Sequence, residues 1–308
     1  MQRLLLIVIA VLSALLLTYP VAAGERPPNI LLIAVDDMGH DTPGSFGGWV
    51  EGLTPHIDRL AAQGVRFTAS HIPNPPCCPS RCSLITGRYP HNHGAPELHH
   101  PLPQGQVMFP ALLQRAGYYT ALAGKNHMGP LPEKYAFTDV FAGQGVSRSE
   151  DWVSIYENRP ANRPCFLWFA SDDAHRDWQP DAQTEPHDPQ AIRVPEPLVD
   201  TAATRADLAA YHDEVQRLDR FVGLVVTELE TQGILDNTVV LFISDNGRPF
   251  PRAKRWITEE GSRTPWIMHW PDGLGTERRV CEQLASVIDI APTFLELAGA
   301  DIPAAVQG

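Results

Sequence analysis

The chain has 308 residues, 44% hydrophobic and 19% charged, with a formal net charge of −12. That length holds one large α/β domain or two modest ones. The acidic balance argues against binding nucleic acid or an anionic membrane through bulk charge, although a cleft lined with cations can still focus a local positive field.

Residues 1–23 read as a secretory signal. Arg3 supplies the positive start, residues 4–17 the apolar run, and the small residues ending at Ala23 the cleavage site. The run is shorter than the ~18 apolar residues of a spanning helix, so no stable membrane span is expected after cleavage. Residues 24–308 then form the folded domain. Export permits disulfides. Five cysteines are an odd number, and Cys165 and Cys281 could pair.

The stretch 29–37, NILLIAVDD, is a short apolar run ending in two acids, the pattern of a buried strand that delivers carboxylates at its C-terminal end. Residues 54–64 predict a helix, with Thr54 as N-cap, Pro55 at the first position and Gly64 as the stop. Residues 109–117 predict a second short helix, and YYTALAG after it a strand. Residues 164–173 predict another buried strand with a polar end. Residues 177–197, rich in Pro, Asp and Gln, predict a long surface loop. An amphipathic helix is expected from about 203 to 232, with Leu208, Tyr211, Val215, Leu218, Val222 and Leu229 at helical spacing. TVVLFISDNG at 238–247 repeats the apolar strand with an acid–amide end. TPWIMHWP and DIAPTFLELAG predict a last strand and helix.

Strands alternate with helices, so the expected fold is α/β, a mostly parallel mixed sheet sandwiched by helices. Ligands in such folds sit beyond the carboxyl ends of the strands. The clusters Asp36–Asp37, 172–175 and Asp245–Asn246 should therefore converge. Asp36, Asp37, Asp245 and Asn246 together offer hard oxygen ligands for Ca²⁺, with Mg²⁺ as the alternative. Taken singly, each pair could equally cap a turn. The histidines of HNH and LHH lack the helix-borne spacing of a zinc site.

The segment NPPCCPSRCSLITGRYPHNHG, residues 74–94, holds three of the five cysteines. Adjacent Cys77 and Cys78 would pair only under strain. A reactive cysteine at a helix entrance fits better, because the helix N-terminus and Arg81 favour negative charge there.

This segment resembles the signature of the sulfatase family, C-x-P-S-R followed by L-x-T-G-R. The resemblance identifies Cys77 as the reacting residue and implies its oxidation to 3-oxoalanine (formylglycine) by a separate formylglycine-generating or sulfatase-maturating enzyme. AVDDMG and SDNG are similar to the family's two metal motifs, which makes Asp36, Asp37, Cys77, Asp245 and Asn246 the implied metal ligands. GKNHMG gives Lys125 and His127, DDAHRDW gives His175, and AKRWITEEGSRTP gives Lys254. Flanking residues, SDNGRPFP above all, most resemble the heparan N-sulfatase (sulfamidase) branch.

The implied reaction is hydrolysis of a sulfuric ester or sulfamate on a sulfated saccharide, in a secreted or periplasmic setting (lysosomal in an animal). Hydrated formylglycine would attack sulfur, and its second hydroxyl would later expel sulfate. Arg81 would steady the nucleophile and the metal carboxylates. Lys125 and Lys254 would bind sulfate oxygens, His127 would orient or deprotonate the nucleophile, and His175 would protonate the leaving atom. Arg88, Arg176 and Arg248 are candidate substrate contacts. A phosphonate or phosphate monoester hydrolase of the wider alkaline-phosphatase superfamily is the alternative enzyme. An inactive, truncated sulfated-glycan-binding homologue is the non-enzymatic one, since the sequence stops where the family continues into a small C-terminal domain.

Overall fold

The structure, a computed structural model, describes residues 27–308; the signal-peptide segment at 1–23 lies outside the described residues. Its frame is one eight-stranded sheet: β1 (Asn29–Val35), β2 (Val65–His71), β3 (Tyr119–Gly124), β4 (Asp139–Phe141), β5 (Cys165–Ala170), β6 (Thr238–Ser244), β7 (Trp266–His269) and β8 (Arg279–Ser286). The spatial order is β4-β3-β5-β1-β6-β7-β2-β8. Every pairing is parallel except those of β7, which runs antiparallel to both neighbours.

The central strands are uninterrupted apolar runs because both faces are covered. Leu31, Ile33 and Val35 of β1 join Val240 and Phe242 of β6 in one core. That core is roofed by α1 (Pro55–Ala62) and by the long helix α4 (Ala202–Thr231). Ile30, Leu32 and Ala34 face the other way, with Val239, Leu241 and Ile243. There they meet α2 (Cys77–Thr86), α3 (Phe109–Arg115) and α5 (Ile290–Leu297). Phe109, Phe166 and Phe294 join these layers, with ring centroids 5.1 to 6.0 Å apart. Each such fully buried side chain contributes roughly 1.5–3 kcal/mol of apolar burial.

Local signals explain the helix ends. The Thr201 hydroxyl accepts the Thr204 N–H at 3.1 Å and caps α4, and all six apolar positions expected on its inner face are buried. Thr54 holds the N-cap position of α1, but its hydroxyl makes no cap bond. It instead accepts the Gly44 N–H and donates to Asp58. In α2, Pro79 is tolerated in the first turn, where its missing N–H has no helical partner to lose. Gly87 closes the helix at φ 64°.

The pairing considered for Cys165 and Cys281 is not present; both are free. β5 and β8 are five strand positions apart, about 24 Å at the usual strand spacing, against under ~7 Å between disulfide Cα atoms. Among the described residues no helix is long and apolar enough to cross a membrane.

Candidate active site

The strand ends do converge. The Asp36 N–H donates to Asp173 O at 3.0 Å, and Ala174 N–H returns to Asp36 O at 2.7 Å, fastening the end of β1 to the loop after β5. Asp245 N–H bonds Val35 O at 3.0 Å, which seats the end of β6 beside them. Carboxylate oxygens of Asp36, Asp37 and Asp245 lie within 4.8 Å of one another, and so do donor atoms of Asp36, Cys77 and His175. Asn246 Nδ2 donates to Asp37 Oδ1 at 2.6 Å.

Cys77 is the first residue of α2, and Arg81, one turn on, ties that helix to three strand ends. Its Nε donates to Asp245 Oδ2 at 2.7 Å, its Nη1 to Lys125 O at 2.9 Å, and its Nη2 lies 3.6 Å from Asp36. With 0% exposure it faces no solvent. Lys125 pairs with Asp36, and Lys254 with Asp37 at 2.7 Å.

Three buried carboxylates thus compete for three cations. Burial alone would push Asp36 up, but Lys125, Arg81 and Lys254 outweigh it and hold the carboxyl well below its usual range. Burial and the Asp36 charge push Asp37 and Asp245 up instead. The charges balance in number, but burial leaves Asp37 and Asp245 less stabilised as carboxylates than Asp36. Asp36 Oδ1 and Asn246 Oδ1 are also buried without a hydrogen-bond partner. Two orphaned oxygens amid three carboxylates are the donor set of a hard divalent cation, so the residues fit calcium or magnesium.

The thiol at position 77 does not follow expectation. Burial, then Asp36 and Asp245, push it up to about 12. These outweigh Lys125 and Lys254, which pull the other way, so an unmodified Cys77 is a neutral thiol and a weak nucleophile.

Beside the cluster opens a cavity of about 1160 Å³, lined among others by Lys125, His127, Arg148, His175, Arg176 and Gln179. It is somewhat larger than the usual range of ligand pockets, about 300–1,000 Å³. His175 Nδ1 meets the Arg176 carbonyl, an acceptor only, so Nδ1 carries the proton and Nε2 is the nitrogen free for a ligand. Burial lowers its pKa.

None of the three extra arginines joins the carboxylate cluster, although Arg176 lines the cavity beside it. Arg248 is held by Asp41 at 2.7 and 2.8 Å. Arg176 pairs with Asp207 and lies over Trp178 and Phe250. Arg88 bonds Gln106. The HNH histidine His93 is satisfied at both nitrogens, by Ala95 N–H and the Ser83 hydroxyl. Sequence reasoning missed two neighbours of the site. One is His99, which bonds His127. The other is the buried triad Asp173–Arg217–Glu214, in which Arg217 Nε donates to Asp173 at 3.0 Å and Nη2 lies 3.2 Å from Glu214. The sequence signal for the triad is Glu214 and Arg217 three residues apart on the mostly apolar side of α4, which also buries His212 and Asp219.

The chain is 32% identical to human N-sulphoglucosamine sulphohydrolase, over 88% of this chain and 61% of that protein. It is 30% identical to canine N-acetylgalactosamine-6-sulfatase, over 90% of this chain and 63% of the relative. It therefore spans somewhat under two thirds of their length. A solved structure in complex with its substrate D-glucosamine-2-N,6-O-disulfate superposes at TM-score 0.76 with 22% identity, covering 92% of this chain and 79% of that one; at that identity the likeness shows the fold. The sulfatase family model matches residues 28–158 and 146–300, nearly the whole described chain, and the protein belongs to the sulfatase family.

Proposed function

We propose that the protein releases inorganic sulfate from a sulfated sugar or glycan, with the N-sulfate of glucosamine as the first candidate substrate. The observation that carries this reading is the joining of Cys77, three buried strand-end carboxylates, the buried Arg81 and the partly buried Lys125 and Lys254 in one cluster beside a saccharide-sized cavity. The N-sulfate preference rests on the likeness to N-sulphoglucosamine sulphohydrolase and on the SDNGRPFP segment.

Attack on a sulfur ringed by anionic oxygens needs positive charge placed where negative charge builds up. Lys125 and Lys254 supply it as point charges on ammonium groups that can turn from Asp36 and Asp37 to sulfate oxygens. Arg81 fixes the start of α2, and with it position 77, against the ends of β1, β3 and β6. A calcium ion held by Asp36, Asp37, Asp245 and Asn246 would polarise the sulfate. Formylglycine at position 77, installed by a maturating enzyme, would supply the nucleophile that the neutral thiol cannot. Neutral His127 is suited to accept a proton near position 77. His175 presents Nε2 to the leaving atom and donates to it when protonated. The apolar leader supports export to the periplasm or the outside, where such glycans occur.

The test is peptide mass spectrometry across residues 66–88 of protein from its native host, joined to sulfate release from N-sulfoglucosamine, O-sulfated sugars and a phosphate ester. Loss of roughly 18 Da at Cys77, with Cys77→Ala inactive, is the expected result. An unmodified Cys77 in active protein would overturn the reading, as would turnover retained by Cys77→Ala.

A further inference from the structure

The His127 ring, half-buried at the cavity, does not stand alone. Its Nε2 lies 3.0 Å from Nδ1 of His99, with ring centroids 5.0 Å apart and 43° between planes. His99 is exposed and 28 residues away in sequence. Both residues sit at positive φ, 56° for His127 and 63° for His99. L-residues adopt that conformation uncommonly, so both loops hold their histidines in a specific local geometry. The other nitrogen of His127, Nδ1, is buried and has no hydrogen-bond partner.

A hydrogen bond between two imidazoles has two polarities, and the surroundings choose between them. Lys125 and Arg81 are the cations acting on His127, and Asp36 is the opposing charge. Arg81 Nη2 is itself a buried donor without an acceptor. Nδ1 is the buried nitrogen and has no acceptor for an Nδ1–H, whereas a lone pair there is favoured by the net positive field of the two cations. The neutral ring therefore carries its proton on Nε2 and donates it to Nδ1 of His99. His99 in turn carries its proton on Nε2, the far side of an exposed ring.

We infer that His99 is a positioning residue, one that fixes the tautomer of His127 and passes its proton to solvent. The inference rests on the proposed hydrolysis. A proton arriving at His127 Nδ1 is matched by one leaving Nε2 for His99 Nδ1, and by a third leaving His99 Nε2 for water. No charge is left in the site, and two tautomers have exchanged. Burial, then Lys125 and Arg81, hold the His127 pKa at about 4. That makes a lasting imidazolium costly and gives the relay its purpose: Nδ1 takes a proton while the ring stays neutral, and it is bare again once that proton is handed on and the two transfers reverse.

Two measurements on the full chain test this, made on wild type, His99→Ala and His99→Asn. The first is ¹⁵N imidazole spectroscopy, with His127 assigned by substitution. Wild type should show a protonated, slowly exchanging Nε2 and a bare Nδ1. His99→Ala should speed Nε2–H exchange at least about tenfold, and His99→Asn, whose Oδ1 accepts in place of Nδ1, should keep it slow. The second is steady-state kinetics on a chromogenic aryl sulfate and N-sulfoglucosamine. His99→Ala should lose roughly 10- to 100-fold in kcat, within the range of a general-base contribution. KM should stay within about twofold, and added imidazole should restore part of the rate. His99→Asn should recover the spectrum and not the rate, because an amide accepts without relaying. An unchanged kcat in His99→Ala overturns the inference, and so does a wild-type His127 protonated on Nδ1. If wild type releases no sulfate, the proposed function falls; the spectra alone then decide the pairing, an Nδ1–H tautomer or exchange unchanged by His99→Ala refuting it.

Discussion

Replacing Asp245 by Asn removes one charge from the cluster without changing its shape. Asp245 accepts from Arg81 Nε at 2.7 Å between side chains of 1% and 0% exposure. It also accepts the Asp37 N–H at 3.3 Å. An amide can keep one of these bonds, and turning its oxygen to Asp37 sets its NH2 against the Arg81 N–H. Breaking a buried pair from one side costs about 3–5 kcal/mol. Arg81 retains Asp36 at 3.6 Å and the Lys125 carbonyl, and burial already pushes the Asp245 carboxyl up. The cost should therefore fall at the low end, about 3 kcal/mol. The assay is urea unfolding in chelator, read by two probes to check two-state behaviour. Repeating it in calcium separates the second role: a ligand at 100 times its Kd stabilises by about 2.7 kcal/mol, and the variant should gain less than half of what wild type gains. A loss under about 1 kcal/mol in chelator would refute the pairing argument, and an equal gain in calcium would refute the assignment of Asp245 as a ligand.

Glu214 should make stability fall with rising pH. Burial and the Asp173 charge raise its pKa from 4.5 to about 8, against the pull of Arg217. The folded state then binds a proton that the unfolded chain has released, so the contribution is full below pH about 4.5 and is lost by about 8. It amounts to something on the order of 5 kcal/mol. Glu214→Gln should flatten that slope in urea midpoints taken across pH, and an unchanged slope would count against a buried, protonated Glu214. Gly124→Ala should disable the site through the backbone. Gly124 has φ 101°, and an added Cβ would lie 2.0 Å from Ala170 O, the carbonyl that accepts the Lys125 N–H. β3 and β5 must part, at about 2–4 kcal/mol, and sulfate release should fall with Lys125 displaced; a wild-type melting temperature and rate would refute it.

What was legible in the sequence follows from how each element is buried. β1, β5 and β6 were readable because both faces are covered, which leaves apolar runs with polar ends. β2 and β8 were not: their side chains are mostly half-buried or exposed, at the far end of the sheet, and VRFTASH carries no alternation. All ten residues of α2 are buried, so it has no polar face and no helical period to detect, and its position came from the cysteine signature alone. The site divides along the same line. Carboxylates at strand ends became legible by repetition: one acidic pair after an apolar run could equally cap a turn, but two at equivalent strand ends point to a shared site. Lys125 and Lys254 were not legible in that way, since an isolated lysine in a sequence is ordinary until a fold sets it against a buried acid. His99 shows the limit most clearly. Its sequence context, LHH beside prolines, suggested only a poor zinc ligand. Its place beside His127 is a tertiary fact, made by two loops that meet only once β3 and α2 are packed. The groups that carry charge to the reaction could thus be read from local pattern and signature, whereas those that set protonation states depend on contacts across distant segments.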